Sequence, residues 1–269
     1  MIDMHTHILP NIDDGSASID ETFQMLHEAY EAGFTEICAT SHYIEGQYEF
    51  NSLDRKYIIE ALQNRLDKEE TNLKLYNGAE AYISEEMPEL VKDGITPTIA
   101  NSKYVLFELP LNSKVMYIDD VIERLIGMSY IPIIAHPERY RIVQENPNIV
   151  INWIMQGAFM QANYASIIGR YGNDSKETLL KLLDANAIHF LGTDTHRKNS
   201  IYVKMDNIIK EFKKKIGNDK LKILSEINPR NVLNSIEFEP ETPKKIKKKL
   251  FRWTLFKLRF IFYLKKDVV

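Results

Sequence analysis

The 269-residue sequence predicts an α/β fold of about seven βα units. Short apolar runs rich in β-branched residues alternate with amphipathic stretches, the pattern of parallel strands joined by crossover helices. Before residue 240 there is no internal repeat and no low-complexity segment, so the alternation reads as one large catalytic domain. Seven such units argue for a barrel or a doubly wound sheet.

Strands are expected at residues 2–4, 35–39, 73–76, 104–107, 131–135, 158–161 and 188–192, with helical stretches filling the gaps. The first helix opens at Ser18, three residues before Glu21 in a capping-box spacing, and runs to Gly33, which suits a helix C-terminus. Hydrophobic residues at 44% and charged residues at 27% are ordinary for a globular protein and exclude a collagen-like or disordered chain. A single cysteine, Cys38, allows no internal disulfide, and the opening MIDMHTH lacks the basic flank and apolar run of a signal peptide, so a cytoplasmic location is expected.

The net charge of −4 hides an asymmetry. Residues 244–269 hold ten of the 34 basic residues and one of the 38 acids, leaving 24 minus 37, or −13, on residues 1–243. A body so acidic is a poor match for nucleic acid, and none is expected as a partner. Pro243 is the expected boundary between a catalytic domain, 1–243, and a basic, aromatic-rich tail, 244–269. The charges at Arg252, Lys257 and Arg259 interrupt its apolar residues too often for a membrane span. Peripheral contact with anionic lipid at the inner face of the membrane is the sharper expectation for this tail, and docking to a partner the other.

The chemistry lies at the strand ends. His5 and His7 are two residues apart at the end of the first strand, and a period of two places both on one face, where they can share a metal. His42 follows the second strand, Glu80 the third, Glu108 the fourth and His136 the fifth, while Asp194 and His196 end the seventh and repeat the two-residue spacing. Asp14, in the loop NIDDG, adds a carboxylate near the first strand end. Parallel strands bring their C-terminal ends to one face. Each ion takes roughly three to five protein ligands, so these residues suit two or three divalent ions with shared carboxylates. His27, within the first helix, and His189, inside the seventh strand, are expected to be structural.

Arg139, three residues beyond His136 in AHPERY, is expected at the same rim, where a guanidinium can clamp a phosphoryl group; the plainer alternative is a salt bridge to Glu138. Cys38 falls within a predicted strand, and position 44, where a thiolate phosphatase would need arginine, is Ile44, so the thiol reads as core.

With these residues in view, the chain resembles the polymerase and histidinol phosphatase (PHP) superfamily, and within it the bacterial manganese-dependent protein-tyrosine phosphatases of capsule and exopolysaccharide loci. The resemblance covers roughly residues 1–235 through MIDMHTHILPNIDDG, ATSHY, NGAE, LFELP, IIAHPERY and GTDTH. It implies a distorted (β/α)7 TIM-like barrel with a multinuclear metal site at the C-terminal ends of the strands. It also implies the allocation of ligands: His5, His7, Glu80 and Asp194 on one ion; Glu80, Glu108 and His136 on a second; Asp14, His42 and His196 on a third. The implied cofactor is Mn2+, with Fe, Zn, Co or Mg as alternatives, and the implied partner is a phosphotyrosine protein such as a bacterial tyrosine kinase. An amidohydrolase is disfavoured, since the places where that barrel carries lysine and histidine hold Glu108 and Asn163. One departure is HRKNSIYVK, which lacks the arginine and prolines often found beyond the last metal histidine and leaves Arg197 or Lys198 as substitutes.

The expected reaction is attack on phosphorus by a metal-activated hydroxide, with metals and Arg139 stabilising the developing charge. A tyrosine leaving group, with a pKa of about 10, makes little demand for a strong general acid. The alternatives are a small-molecule phosphomonoesterase of histidinol-phosphate or sugar-phosphate type, a non-catalytic adaptor at the membrane and, as a minor one, a nuclease.

Overall fold

The structure is a computed structural model that describes residues 1–69 and 71–247. Seven parallel strand positions follow one another in chain order, two of them broken in the middle. The first is β1 (Ile2–Thr6); the second comprises β2 (Glu36–Ala39) and β3 (His42–Tyr43); the third comprises β4 (Lys74–Asn77) and β5 (Glu80–Tyr82). Then come β6 (Tyr104–Glu108), β7 (Ile131–Ala135), β8 (Phe159–Asn163) and β9 (Phe190–Gly192). Hydrogen bonding runs β1-β2-β4 below the breaks and β3-β5-β6-β7-β8-β9 above them. The curled sheet returns on itself, because Asp194 N donates to His5 O at 2.7 Å and His7 N to Thr195 O at 3.0 Å.

Alternation along the strands divides the core in two. Tyr104, Leu106, Ile133 and Ala135 point inward with Ile2, Met4, Cys38, Phe159 and Phe190. Val105, Phe107 and Ile134 point outward into the larger cluster beneath the helices. Cys38 is thus a buried core residue, as expected from its strand. In β1 the register against β2 slips between Asp3 and Thr6, a bulge of one residue. Bulges re-aim side chains: Met4 packs in the inner cluster, yet His5 next to it turns inward as well, while Asp3 turns outward to Tyr202 at 2.9 Å.

The first helix, α1 (Ile19–Glu31), is capped by Ser18, whose hydroxyl accepts from Glu21 N at 3.2 Å, while Glu21 Oε2 accepts from Ala17 N at 3.0 Å. Gly33 follows its end at φ 84°, a conformation that favours glycine. The second helix, α2 (Ser52–Lys68), carries Arg55, whose fully buried guanidinium donates to the carbonyls of Ser41, His42, Phe50 and Gly78 and so pins both strand breaks. His42 and Glu80, expected after their strands, lie on the short upper segments β3 and β5, paired with each other.

His189, expected inside the seventh strand, lies just before β9 and is buried, its Nδ1 accepting from Met160 N at 2.9 Å, and burial together with Lys220 pushes its pKa down to about 3. His27 lies on the surface of α1, 3.3 Å from Glu69. Both are apart from the strand ends. After a last helix (Asn228–Leu233) the chain crosses the lower mouth of the sheet, where Phe238 packs on Tyr104, Phe159 and Phe190. It stays on the body beyond Pro243: Lys244 N donates to Ala185 O at 2.7 Å, and Ile246 exchanges two bonds with the Asn148 side chain, each 2.9 Å. The expectation of a lipid-binding tail falls mainly on residues 248–269, which lie outside the described residues. Among the described residues no helix is long and apolar enough to cross a membrane.

Candidate metal centre

The nine side chains singled out at the strand ends come together at the upper mouth of the sheet. Glu80 is at the middle: its carboxylate lies 3.0 Å from His5 Nε2, 3.2 Å from His7 Nε2, 3.2 Å from His42 Nδ1 and 2.9 Å from His136 Nε2. Three overlapping groups have ligand atoms close enough to hold ions: His5, His7, Glu80 and Asp194; His42, Glu80 and Glu108; and His7, Asp14, His42 and His196. His7, His42 and Glu80 each belong to two groups. His136 adjoins the second, 3.8 Å from Glu108 Oε2. The allocation implied by the family resemblance differs in giving His136 to the second ion, His42 to the third alone and His7 to the first alone.

The centre is graded from floor to rim. His5, His7 and Glu80 are inaccessible, His42 and Glu108 slightly exposed, and Asp14 is outermost with 56% of its side chain exposed. Backbone conformation aims two of the ligands, His136 at φ 31° and Asp194 at φ 52°, in a region uncommon for residues other than glycine. Two glycines make room for the histidines. A Cβ on Gly15 would come within 2.6 Å of His7 Cβ, and one on Gly192 within 2.5 Å of His5 Cβ.

Charge and hydrogen bonding both fit divalent cations. Four carboxylates, those of Asp14, Glu80, Glu108 and Asp194, gather here with Asp13 behind them, and Arg139 pairs with Asp194 among them. Burial pushes the Glu80 carboxyl up, but the His5 and His42 rings and the hydrogen bonds from His136 and His5 hold it well below the usual carboxylate range. Asp194 is likewise held low: burial raises it, and His5, His7, Arg139 and His196 outweigh that. His7 Nδ1 lies 2.8 Å from Asp13 Oδ2, an oxygen that can only accept, so neutral His7 has its lone pair on Nε2, facing Glu80 and Asp194. His42 Nδ1 is buried with no hydrogen-bond partner although two carboxylates stand about it, at 3.2 and 3.1 Å. Lone pairs and carboxylates aimed at common points are the donor set of a borderline or hard divalent cation.

Arg139 reaches this rim from the turn after β7. It does not pair with Glu138. Its Nη1 donates to Asp194 Oδ2 at 2.6 Å, and its guanidinium lies 4.4 Å from the Tyr171 ring centroid. Glu138 is buried on the other side, accepting from Asn163 N and Ser166 Oγ at 2.9 and 2.6 Å. Arg197 is exposed, Nη1 bonded to the carbonyl of His196 at 3.1 Å, and Lys198 is bound through its backbone to Glu21.

Several supporting residues escaped the sequence reading. Asp13, next to the proposed ligand Asp14, orients His7 and also accepts from His42 N at 2.8 Å and Gly15 N at 2.9 Å. Asp3 accepts from Thr193 N, Thr193 Oγ and Tyr202 Oη, tying the first strand to the last; burial pushes its pKa up to about 6 against those bonds. Gln161 and Asn163 end β8, at the level where other strands carry ligands, and that position is the signal that could have marked them.

These features define an α/β barrel-type protein whose strand ends bring together three overlapping groups of side chains that could each hold a metal ion. The family model described as capsular polysaccharide synthesis, CpsB/CapC, matches residues 1–234, and the chain belongs to that family. The tyrosine-protein phosphatase YwqE of Bacillus subtilis is 31% identical over 252 residues, 93% of this chain and 99% of YwqE. The tyrosine-protein phosphatase CpsB of Streptococcus pneumoniae is 29% identical over 240 residues, 87% of this chain and 98% of CpsB. A crystal structure from work on that same YwqE and CpsB pair, described as metal-dependent tyrosine phosphatases, superposes with a TM-score of 0.86 at 29% identity, covering 92% of this chain and all of the other.

Proposed function

We propose that the chain is a metal-dependent protein-tyrosine phosphatase that binds its cations through His5, His7, Asp14, His42, Glu80, Glu108, His136, Asp194 and His196. The observation that carries this reading is the set of three overlapping ligand groups joined through His7, His42 and Glu80, in a chain of this family. Mn2+ is the proposed ion, with Fe, Zn, Co and Mg as alternatives. Bound there, divalent cations supply charge to stabilise phosphoryl transfer and lower the pKa of a coordinated water into the neutral range.

The protein's own side chains do the rest. Asp13 orients His7, and Asn163 and Arg139 hold Asp194 Oδ2 at 2.7 and 2.6 Å, leaving Oδ1 toward His5 and His7. Arg139 keeps further N–H donors beyond the one given to Asp194, enough to clamp a phosphoryl oxygen at the rim. Tyr48 stacks on His42 with centroids 6.2 Å apart and Tyr171 lies beside Arg139, and either ring could pack against a phosphotyrosyl group. The proposed partner is a phosphotyrosine protein of capsule or exopolysaccharide synthesis, a bacterial tyrosine kinase in particular. Peripheral contact with an anionic inner membrane face through residues 244–269 is part of the same reading and rests on their sequence.

The test compares turnover by the manganese-loaded protein of a phosphotyrosine peptide and of an alkyl phosphomonoester. Preference for the peptide by tenfold or more in kcat/KM is expected. Equal or better turnover of the alkyl ester would replace this reading with a small-molecule phosphatase.

A further inference from the structure

Among the described residues, strand β8 is the one strand position whose end offers none of the nine proposed ligands. It ends instead in Gln161 and Asn163, both fully buried. Their amides connect two of the ligands, and chemistry fixes which way each amide faces.

A carboxylate oxygen can only accept, so the Asn163 atom 2.7 Å from Asp194 Oδ2 is Nδ2. Asn163 Oδ1 then faces Gln161 at 3.1 Å, and the Gln161 atom there must donate. It is Nε2, and the carbonyl of Ala162, 2.9 Å from that same atom, demands the same orientation independently. Gln161 Oε1 is therefore turned to His5 Nδ1 at 2.8 Å. An amide oxygen takes only a donor, so neutral His5 carries its proton on Nδ1 and its lone pair on Nε2. That lone pair faces His7 Nε2 at 3.1 Å, Glu80 Oε2 at 3.0 Å and Asp194 Oδ1 at 3.7 Å. Since Asp13 leaves His7 in the same state, the two Nε2 atoms cannot bond to each other and suit a cation between them and the carboxylates.

We propose that Gln161 and Asn163 are positioning residues forming a one-way amide relay, by which the Asp194 carboxylate holds His5 as its Nδ1–H tautomer with Nε2 presented to a divalent cation. The relay gives β8 a role without a ligand of its own: its side chains orient Asp194, which follows the neighbouring β9, and His5 on β1, the strand beyond it where the sheet closes. The surroundings are shaped for it. A Cβ on Gly192 would come within 2.8 Å of Gln161 Nε2, and Glu138 Oε1 fixes the end of β8 through Asn163 N at 2.9 Å. The inference rests on the metal-centre reading above.

The experiment uses the full chain and its Gln161→Leu, Asn163→Leu and doubly substituted variants. Manganese affinity is measured by competition with a chromophoric chelator, beside the melting temperature of the metal-free protein. Loss of an outer-shell partner weakens metal binding by roughly 10–100-fold. Gln161→Leu should lose that much, Asn163→Leu less because the Ala162 carbonyl still holds Gln161, and the double variant clearly less than the product of the two, because the amides act in series. Where a leucine variant does not fold, Gln161→Ala and Asn163→Ala replace it; neither side chain can make the bonds the relay needs, so a loss of affinity is again expected. Variants that bind manganese as tightly as the parent, or losses that multiply in the double variant, would overturn the relay alone. A parent that binds no manganese would overturn the metal-centre reading and the relay with it.

Discussion

Asp13→Asn changes one atom of a fully buried side chain, and its cost can be worked from the contacts. Asp13 Oδ2 accepts from His7 Nδ1 and His42 N, both at 2.8 Å, and Oδ1 from Gly15 N at 2.9 Å. An amide has one acceptor oxygen. Placing Nδ2 where Oδ2 stands would set a donor against two donors, so the cheaper orientation puts it against Gly15 N. One buried N–H is then unsatisfied, a loss of about 1–3 kcal/mol, or roughly 2–10 °C in Tm for a domain of this size. The larger effect is on binding: His7 loses a carboxylate partner and with it basicity at Nε2, so manganese affinity should fall by about 10–100-fold. Asp13→Ala, which removes all three bonds, should lose more in both respects. Chelator competition and thermal melts of the metal-free proteins measure the two effects separately. An Asp13→Asn protein with the parent's affinity and Tm would refute the assignment of Asp13 as the group that orients His7.

Three further outcomes are expected. Gly192→Ala should bind manganese poorly and melt lower than the parent, since its Cβ would meet His5 Cβ at 2.5 Å; a crystal structure showing His5 unmoved would contradict this. Arg139→Lys keeps the charge but loses the fork, so kcat/KM for a phosphotyrosine peptide should fall about tenfold or more at saturating Mn2+, which steady-state kinetics would show; kinetics equal to the parent's would contradict the clamp. His189, with a folded pKa near 3 against about 6.5 in the unfolded chain, is neutral in the folded protein. The unfolded state therefore binds the extra proton, and stability falls as pH drops from about 6.5 towards 3, by an amount on the order of several kcal/mol. Melting temperatures across that range should fall more steeply for the parent than for His189→Asn, whose amide oxygen can still accept from Met160 N; parallel curves would count against the buried neutral imidazole.

The alternation of apolar runs exposed the strand order, and seven expected strands correspond to seven positions around the sheet. The breaks in the second and third were hidden, because what interrupts them is Arg55, a helical residue whose guanidinium reaches the carbonyls of Ser41, His42 and Gly78 from far along the chain. Residues at strand ends were legible as one cluster because parallel strands present their C-terminal ends together. Their supports were not. Asp13 looks no different from Asp14 in NIDDG, and only the turn at Gly15 decides which carboxylate points inward. Gln161 and Asn163 are ordinary polar residues until the third dimension sets them between His5 and Asp194. The pairing of Arg139 with Asp194 rather than its neighbour Glu138 likewise depends on a turn that sends adjacent side chains to opposite sides.

We propose that this cluster holds the divalent cations of the reaction. The most direct test is hydrolysis of a phosphotyrosine peptide by chelator-stripped protein, with and without added Mn2+, beside a variant carrying His5→Ala and His7→Ala. Activity absent from the stripped parent, restored by manganese, and not restored in the variant is the predicted result. Full activity in the stripped parent, or equal restoration in the variant, would contradict it.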